Sequence, residues 1–301
     1  MTTIVDWFGY LADDQSEAAK LAREQECCPF TGATCIKPFV DGGRSGVCTL
    51  KQKTRPPVVC CPNRLYGDDW SVLRYVADKA FDDDYDLVPG RDAIDAAVSC
   101  GDAVVGVFGK GWGGELHLPQ RGGVGAYFVD YILARILPDG TLESFVAVEV
   151  QSIDTTGNYQ NAVRALRRTP ISDKRDSAGF NWENVSKRIL PQLIYKGNVL
   201  EQEPKCKSGL FFITPKPVYE RIMDRLIGAG APLPTYPLGG NSISFASFDP
   251  SWDDSSIGEP APLALTHELT TTVTQVAYNF TGVGNLPPSG AYERAITAAL
   301  H

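Results

Sequence analysis

Residues 125–151 constrain the chain more than any other stretch. They read Gly-Ala-Tyr-Phe-Val-Asp-Tyr-Ile-Leu-Ala-Arg-Ile-Leu, then Pro-Asp-Gly-Thr, then Leu-Glu-Ser-Phe-Val-Ala-Val-Glu-Val-Gln. Two runs rich in β-branched and aromatic residues flank a Pro-Asp-Gly turn, which predicts an antiparallel hairpin. With Asp139-Gly140 as a two-residue turn, Asp130 lies directly opposite Glu149, and Gln151 projects from the same face as Glu149. Carboxylates that face each other across a strand pair repel. Apolar neighbours also deny them water, which costs more. A bound cation relieves both penalties, and Mg2+ is a hard ion suited to carboxylate oxygen. The expectation is a metal site built inside a sheet.

The rest of the chain supplies elements to surround that hairpin. Asp14 to Gln25 reads as a short helix capped by Asp14, with Glu17 at the capping-box position. Residues 27–66 are rich in Cys, Gly and Pro and lack helical or strand periodicity, so they predict a loop-built module that needs a staple. Trp70 to Phe81 has helical spacing, and residues 96–108 look like a strand. Asn158 to Arg168 and Asn181 to Tyr195 read as helices, the second interrupted by Pro191. Gly209 to Thr214 is a short buried strand. Val218 to Ile227 is a helix closed by Gly228, and Ser242 to Phe248 and Leu263 to Tyr278 are strand-like. Mixed strands and helices predict an α/β architecture around one mixed sheet, with the cysteine module at its N-terminal end. The division is 1–66 for the helix and four-cysteine module and 67–301 for the part that carries the hairpin and the mixed sheet.

The four-cysteine module has its own spacing logic. Cys28, Cys35, Cys48 and Cys61 are separated by six, twelve and twelve residues, and Cys27 and Cys60 immediately precede two of them. Four thiolates on loops make a tetrahedral soft-ligand site that suits Zn2+ or a single iron. Spacing does not decide which member of each adjacent pair ligates. Free, buried thiols are the competing reading. Cys100 and Cys206 read as ordinary core thiols.

Charge sets limits on partners. The 301-residue chain carries a net charge of −8, 43 % apolar and 21 % charged residues, with no run long enough to span a membrane and no recognisable secretory signal. That balance disfavours a general polyanion binder. The charge is nonetheless uneven: residues 65–105 hold ten Asp against three Arg or Lys, and residues 161–210 hold ten Lys or Arg against five acids. The basic stretch can meet a polyanion locally, or can be a solvated helical surface.

An Asp followed on the next strand by Glu-X-Gln is a variant of the Asp…(Glu/Asp)-X-Lys nuclease pattern. Phosphodiester hydrolysis needs a metal to neutralise charge on the pentavalent phosphorus and to acidify a water. Asp130 and Glu149 would bind the metal, and Gln151 would orient the water without the positive charge of Lys. Asp154-Thr155-Thr156-Gly157-Asn158 follows at once, chiefly as a strand-to-helix turn, with Asp154 a possible further carboxylate. His117, His267 and His301 form no cluster. The Gly-rich stretch 109–125, with Lys110, Trp112, His117, Gln120 and Arg121, is either a surface loop or a DNA-contacting one.

Several motifs together resemble the NotI family of restriction endonucleases. They are Cys-Pro-Phe-Thr-Gly-X-X-Cys-X-Lys at 28–37, Gly-Val-Cys at 46–48, Cys-Pro-Asn-Arg at 61–64 and Tyr-Phe-Val-Asp at 127–130. Val-Glu-Val-Gln-Ser-Ile-Asp-Thr-Thr-Gly at 148–157, Asn-Val-Ser-Lys-Arg-Ile-Leu-Pro-Gln-Leu-Ile at 184–194 and Gly-Leu-Phe-Phe-Ile-Thr-Pro at 209–215 continue the likeness. The resemblance implies a PD-(D/E)XK-type fold and a cytoplasmic, prokaryotic homodimer that cuts double-stranded DNA with Mg2+ at a GC-rich palindrome. The chain length points to CGGCCG rather than GCGGCCGC. It further implies Asp130, Glu149 and Gln151 as catalytic positions and one iron on Cys28, Cys35, Cys48 and Cys61, with Cys-Pro marking Cys28 and Cys61 over their neighbours. Guanine reading in the major groove favours Arg or Lys. The nearest candidates are Arg164, Arg167, Arg168, Lys174, Arg175, Lys187 and Arg188. The other classes to separate are a metal-stapled DNA-binding protein without nuclease activity and a nuclease without sequence preference.

Overall fold

Apolar residues recur on both faces of the strands around residue 130 because both faces are covered. The computed structural model describes residues 2–39, 42–83, 85–116, 128–169, 177–228, 232–282 and 288–300. In chain order come β1 (Thr2–Trp7), β2 (Tyr10–Leu11), α1 (Glu17–Glu24), β3 (Val47–Gln52), β4 (Pro57–Val59), α2 (Gly67–Phe81), β5 (Leu87–Pro89), α3 (Ala93–Cys100) and β6 (Val104–Gly109). Then follow β7 (Tyr131–Ile136), β8 (Leu142–Val150), β9 (Thr155–Thr156), α4 (Gln160–Arg168), β10 (Gly179–Phe180) and α5 (Leu190–Leu200). The chain continues through β11 (Cys206–Thr214), α6 (Lys216–Ile227), β12 (Ser242–Pro250), β13 (Leu263–Thr272), α7 (Val273–Thr281) and α8 (Ala291–Ala299).

The central sheet has seven strands in the order β13-β12-β11-β8-β7-β6-β5. β6, β7 and β8 form an antiparallel meander, β11 then adds parallel to β8, and β12 adds parallel to β11. This is the expected mixed sheet flanked by helices. On one face Tyr131, Leu133, Val146, Val148, Phe211 and Ile213 pack with Leu73, Val76 and Ala77 of α2. On the other, Ala147, Phe212 and Phe245 pack with Leu190 and Leu193 of α5, Ile222 of α6 and Val273 of α7. Among the described residues no helix is long and apolar enough to cross a membrane.

The hairpin ladder is the expected one, reached by a different route. Leu137 donates its N–H to the Thr141 carbonyl (2.9 Å) and Gly140 to that of Leu137 (2.8 Å), so the loop has three residues rather than two. Gly140 sits at φ +80°, a left-handed position that glycine takes without steric cost. Ile136 then pairs with Leu142 but Arg135 with Ser144, leaving Glu143 as an extra residue at a bulge. The longer loop and the bulge shift register in opposite senses and cancel. Tyr131 therefore faces Val148, as a two-residue turn would have had it.

Several elements depart from the sequence reading. Residues 27–66 are not all loop: β3 and β4 pair with β1 and β2 in a four-stranded antiparallel sheet. β1 escaped notice because it lies at the very start of the chain, before any turn signal. The first helix starts at Glu17, and its cap is Ser16, whose Oγ accepts the Ala19 N–H at 3.2 Å. Asp14 instead accepts from Ser16 and from Gly258 across the chain. Residues 96–108 divide into α3 and β6, and 263–278 into β13 and α7; in both cases β-branched residues within the helix imitate a strand. Pro191 does not interrupt its helix. It lies at the start of α5, where a missing N–H costs little, after a π-turn over Val185–Ile189. Cys100 is exposed rather than a core thiol, while Cys206 is buried.

Candidate active site

Asp130 directly precedes β7, and the first β7–β8 pair, Tyr131 with Val148, sets it beside Glu149. Asp130 Oδ2 accepts the Val150 N–H at 2.8 Å, which fixes its carboxylate at the end of β8. Gln151 follows β8 immediately. Its N–H donates to the Ile213 carbonyl (2.9 Å), its carbonyl accepts from Thr214 Oγ1 (2.7 Å), and its side-chain Nε2 donates to the Ser152 carbonyl (2.8 Å). The three residues singled out from the sequence thus gather at one end of the central sheet.

Burial sets the electrostatics of the carboxylate pair. It raises Glu149 to about 7, and the negative charge of Asp130 adds to the rise, while Lys196 opposes it. Asp130 is also raised, chiefly by burial, against the Val150 N–H and Lys196, with a like-charge push from Glu115. A pair of hard oxygen donors that resists double ionisation suits Mg2+, which keeps several waters and needs only one or two carboxylates.

Two nearby side chains were missed in the sequence. Lys196 of α5 places Nζ 2.5 Å from Glu149 Oε2, with only 15 % and 12 % of the two side chains exposed. Glu115 acts on Asp130 from the segment after β6. No motif linked them to the hairpin; the one hint for Lys196 was the missing charge at Gln151. Lys196 is also the last of a polar stripe. Arg188 reaches Asp154 (3.3 Å), Gln192 and Gln151 border one small cleft, and Lys196 meets Glu149. Asn184 Nδ2 donates to Asp154 at 2.7 Å, so Asp154 is engaged with these partners.

The cysteines converge as well. Cys28, Cys35, Cys48 and Cys61 all line one small cavity with Phe8, Gly46 and Asn63. Their doublet neighbours do not line it: Cys60 Sγ lies 3.6 Å from Lys37 Nζ, and Cys27 is half-buried near the Cys28 carbonyl. The Cys61 thiol is pushed down to about 6, first by a hydrogen bond with Cys48, then by Lys37 and the N–H groups of Asn63 and Arg64, against the cost of burial. Cys61 is therefore suited to the thiolate form that soft metals require. Among the described residues, however, no three or more His, Cys, Asp or Glu side chains stand in a metal-binding arrangement. The four thiols border the cavity without closing into a coordination sphere, and Cys48 and Cys61 hydrogen-bond each other instead.

The basic candidates are dispersed. Arg167 is occupied by Glu26 Oε1 and the Arg44 carbonyl, both at 2.8 Å, and so ties α4 to the N-terminal part. Lys187 pairs with Glu183 at 2.5 Å and Arg188 with Asp154. Arg164 and Arg168 lie on the exposed side of α4. Lys174 and Arg175 fall outside the described residues, as do His117, Gln120, Arg121 and His301. Trp112 packs edge-on against Trp70 with ring centroids 5.8 Å apart, and His267 stacks on Tyr219.

No protein-family model matches the chain, and no curated protein matches it either.

Proposed function

We propose that the chain is a Mg2+-dependent, site-specific endonuclease of double-stranded DNA with a PD-(D/E)XK-type core, acting as a homodimer on a GC-rich palindrome. The observation that carries this reading is the half-buried Asp130–Glu149 pair at the end of β8, with Gln151 beside it. Few structural roles justify two carboxylates facing each other out of water; a divalent cation and the phosphate it draws in do. When bound, Mg2+ supplies charge neutralisation at phosphorus and lowers the pKa of a water. Asp130 and Glu149 would hold it, and Gln151 would orient the water by hydrogen bonding. The water oxygen would bond to phosphorus as one phosphorus–oxygen ester bond breaks; the water would give a proton to solvent and the leaving oxygen would take one from solvent, so that a phosphomonoester and a hydroxyl end result. The reading extends to a structural iron or Zn2+ in the cavity that Cys28, Cys35, Cys48 and Cys61 border; binding it would have to draw the four thiols into a coordination sphere that they do not form here.

Digestion of a sequenced GC-rich plasmid with Mg2+ tests the reading. Discrete fragments whose ends share a palindrome are the expected outcome. A smear means cleavage without sequence preference. Retarded but intact DNA means a metal-stapled binding protein.

A further inference from the structure

We infer that Lys196 is the resident cation of this site: it neutralises the Asp130–Glu149 pair and supplies the positive charge that Gln151, in the usual place of a lysine, lacks. The inference rests on the nuclease reading above. Among the described ion pairs, only Lys196–Glu149 and Arg64–Asp6 have both side chains largely out of water. The other pairs sit at the surface, where such contacts contribute little. The Lys196 stem borders an apolar cavity of about 410 Å³ with Ile132, Phe145 and Val199, so its ammonium is delivered from an apolar wall and not from solvent. It approaches from the same side as Gln192, which borders one small cleft with Gln151, and Arg188, which pairs with Asp154. The π-turn and α5 together thereby line the end of β8 with Arg188, Gln192 and Lys196. An ammonium fixed beside the metal-binding carboxylates is preorganised to meet charge that grows on the phosphate as water attacks. Its Nζ is held 2.5 Å from Glu149, so Lys196 positions that carboxylate and adds its charge to the site.

The decisive experiment compares wild type, Lys196→Met and the double variant Lys196→Met with Gln151→Lys. Methionine matches the lysine stem against the same apolar wall, which protects folding. Three quantities are read: the saturating single-turnover cleavage rate, duplex affinity in Ca2+, and the affinity for Mg2+ alone by calorimetry. Lys196→Met should cleave about 100-fold more slowly at unchanged DNA affinity. It should also bind Mg2+ about 10-fold more tightly, because a competing cation has gone from the carboxylates. Gln151→Lys should recover at least part of the lost rate. An active wild type with a Met variant equally fast overturns the role of Lys196 and leaves the nuclease reading intact. Slower cleavage with weaker Mg2+ binding also overturns it, since damage to the fold lowers both. A wild type that binds Mg2+ but cleaves no duplex overturns the nuclease reading itself, and the role of Lys196 with it.

Discussion

At the scale of single residues, Glu149 carries the strongest consequence. Its carboxyl titrates at about 7 in the folded chain against an ordinary value of 4.5, mainly because it is buried and next because Asp130 is near. Between those values the folded state holds a proton that the unfolded state has released. The stabilising contribution is therefore complete below pH 4.5 and is lost as pH rises towards 7. Glu149→Gln removes this dependence. Relative to wild type, it should gain on the order of 3 kcal/mol of stability between acid and pH 8, read from denaturant midpoints at several pH values without metal. A variant whose difference from wild type is flat with pH contradicts the burial argument. On the proposed nuclease reading, the same carboxylate would hold the metal at a cost to the fold. Asp130→Ala and Glu149→Ala should each abolish Mg2+-dependent cleavage while duplex binding persists in a gel-shift assay, and full turnover by both would remove them from the site.

The hairpin shows how an element can reach the right register through unanticipated details. Pro-Asp-Gly and the apolar runs made the hairpin legible, because β-branched strands and a turn residue at φ > 0 are local properties. The three-residue loop and the Glu143 bulge were not legible, since a bulge is selected by how the strands twist against their neighbours. Gly140 is the hinge of that arrangement, and a Cβ there would meet Ile94 Cγ2 at 3.1 Å on a backbone already left-handed. Gly140→Ala should cost about 1–2 kcal/mol in equilibrium unfolding. The cleavage rate should stay unaltered, because the bulge lies between the loop and Asp130. Helix α5 gives the converse lesson. Its existence was read over Asn181 to Tyr195, but a π-turn precedes Pro191 and the helix, which carries Lys196, runs on to Leu200.

Across the whole molecule, one buried arginine pairs within the N-terminal part and reaches from it to the segment that leads into β13. Arg64 Nε donates to Asp6 Oδ2 at 2.7 Å, its Nη2 donates to the Ala261 carbonyl, and its guanidinium lies over the Phe30 ring. Both side chains are fully out of water. Asp6→Ala strands a buried guanidinium without its carboxylate and should destabilise the protein by about 3–5 kcal/mol in denaturant unfolding. The cysteines beside that pair offer a second test. Cys28→Ser, Cys35→Ser, Cys48→Ser and Cys61→Ser should each lower the iron or zinc content found by elemental analysis, and with it the thermal midpoint. Cys60→Ser should retain the metal, because its thiol turns towards Lys37. Purified wild type free of both metals would refute the site.

What the sequence determined by itself was local: the hairpin and its ladder, the Asp130–Glu149 opposition, the helices read at 158–168 and 218–227 that form at 160–168 and 216–227, and a group of cysteines that line one cavity. Each follows from periodicity, turn chemistry or spacing within a few tens of residues, where chain connectivity restricts the geometry. Tertiary structure decided the rest. Packing of α5 on the sheet brought Lys196 to Glu149 across 47 residues. Pairing of β1 with β3 turned an apparent loop module into a sheet, and packing of α4 on the N-terminal part engaged Arg167 with Glu26. Contacts of that range depend on how buried faces fit together, and no local pattern in the chain records the fit.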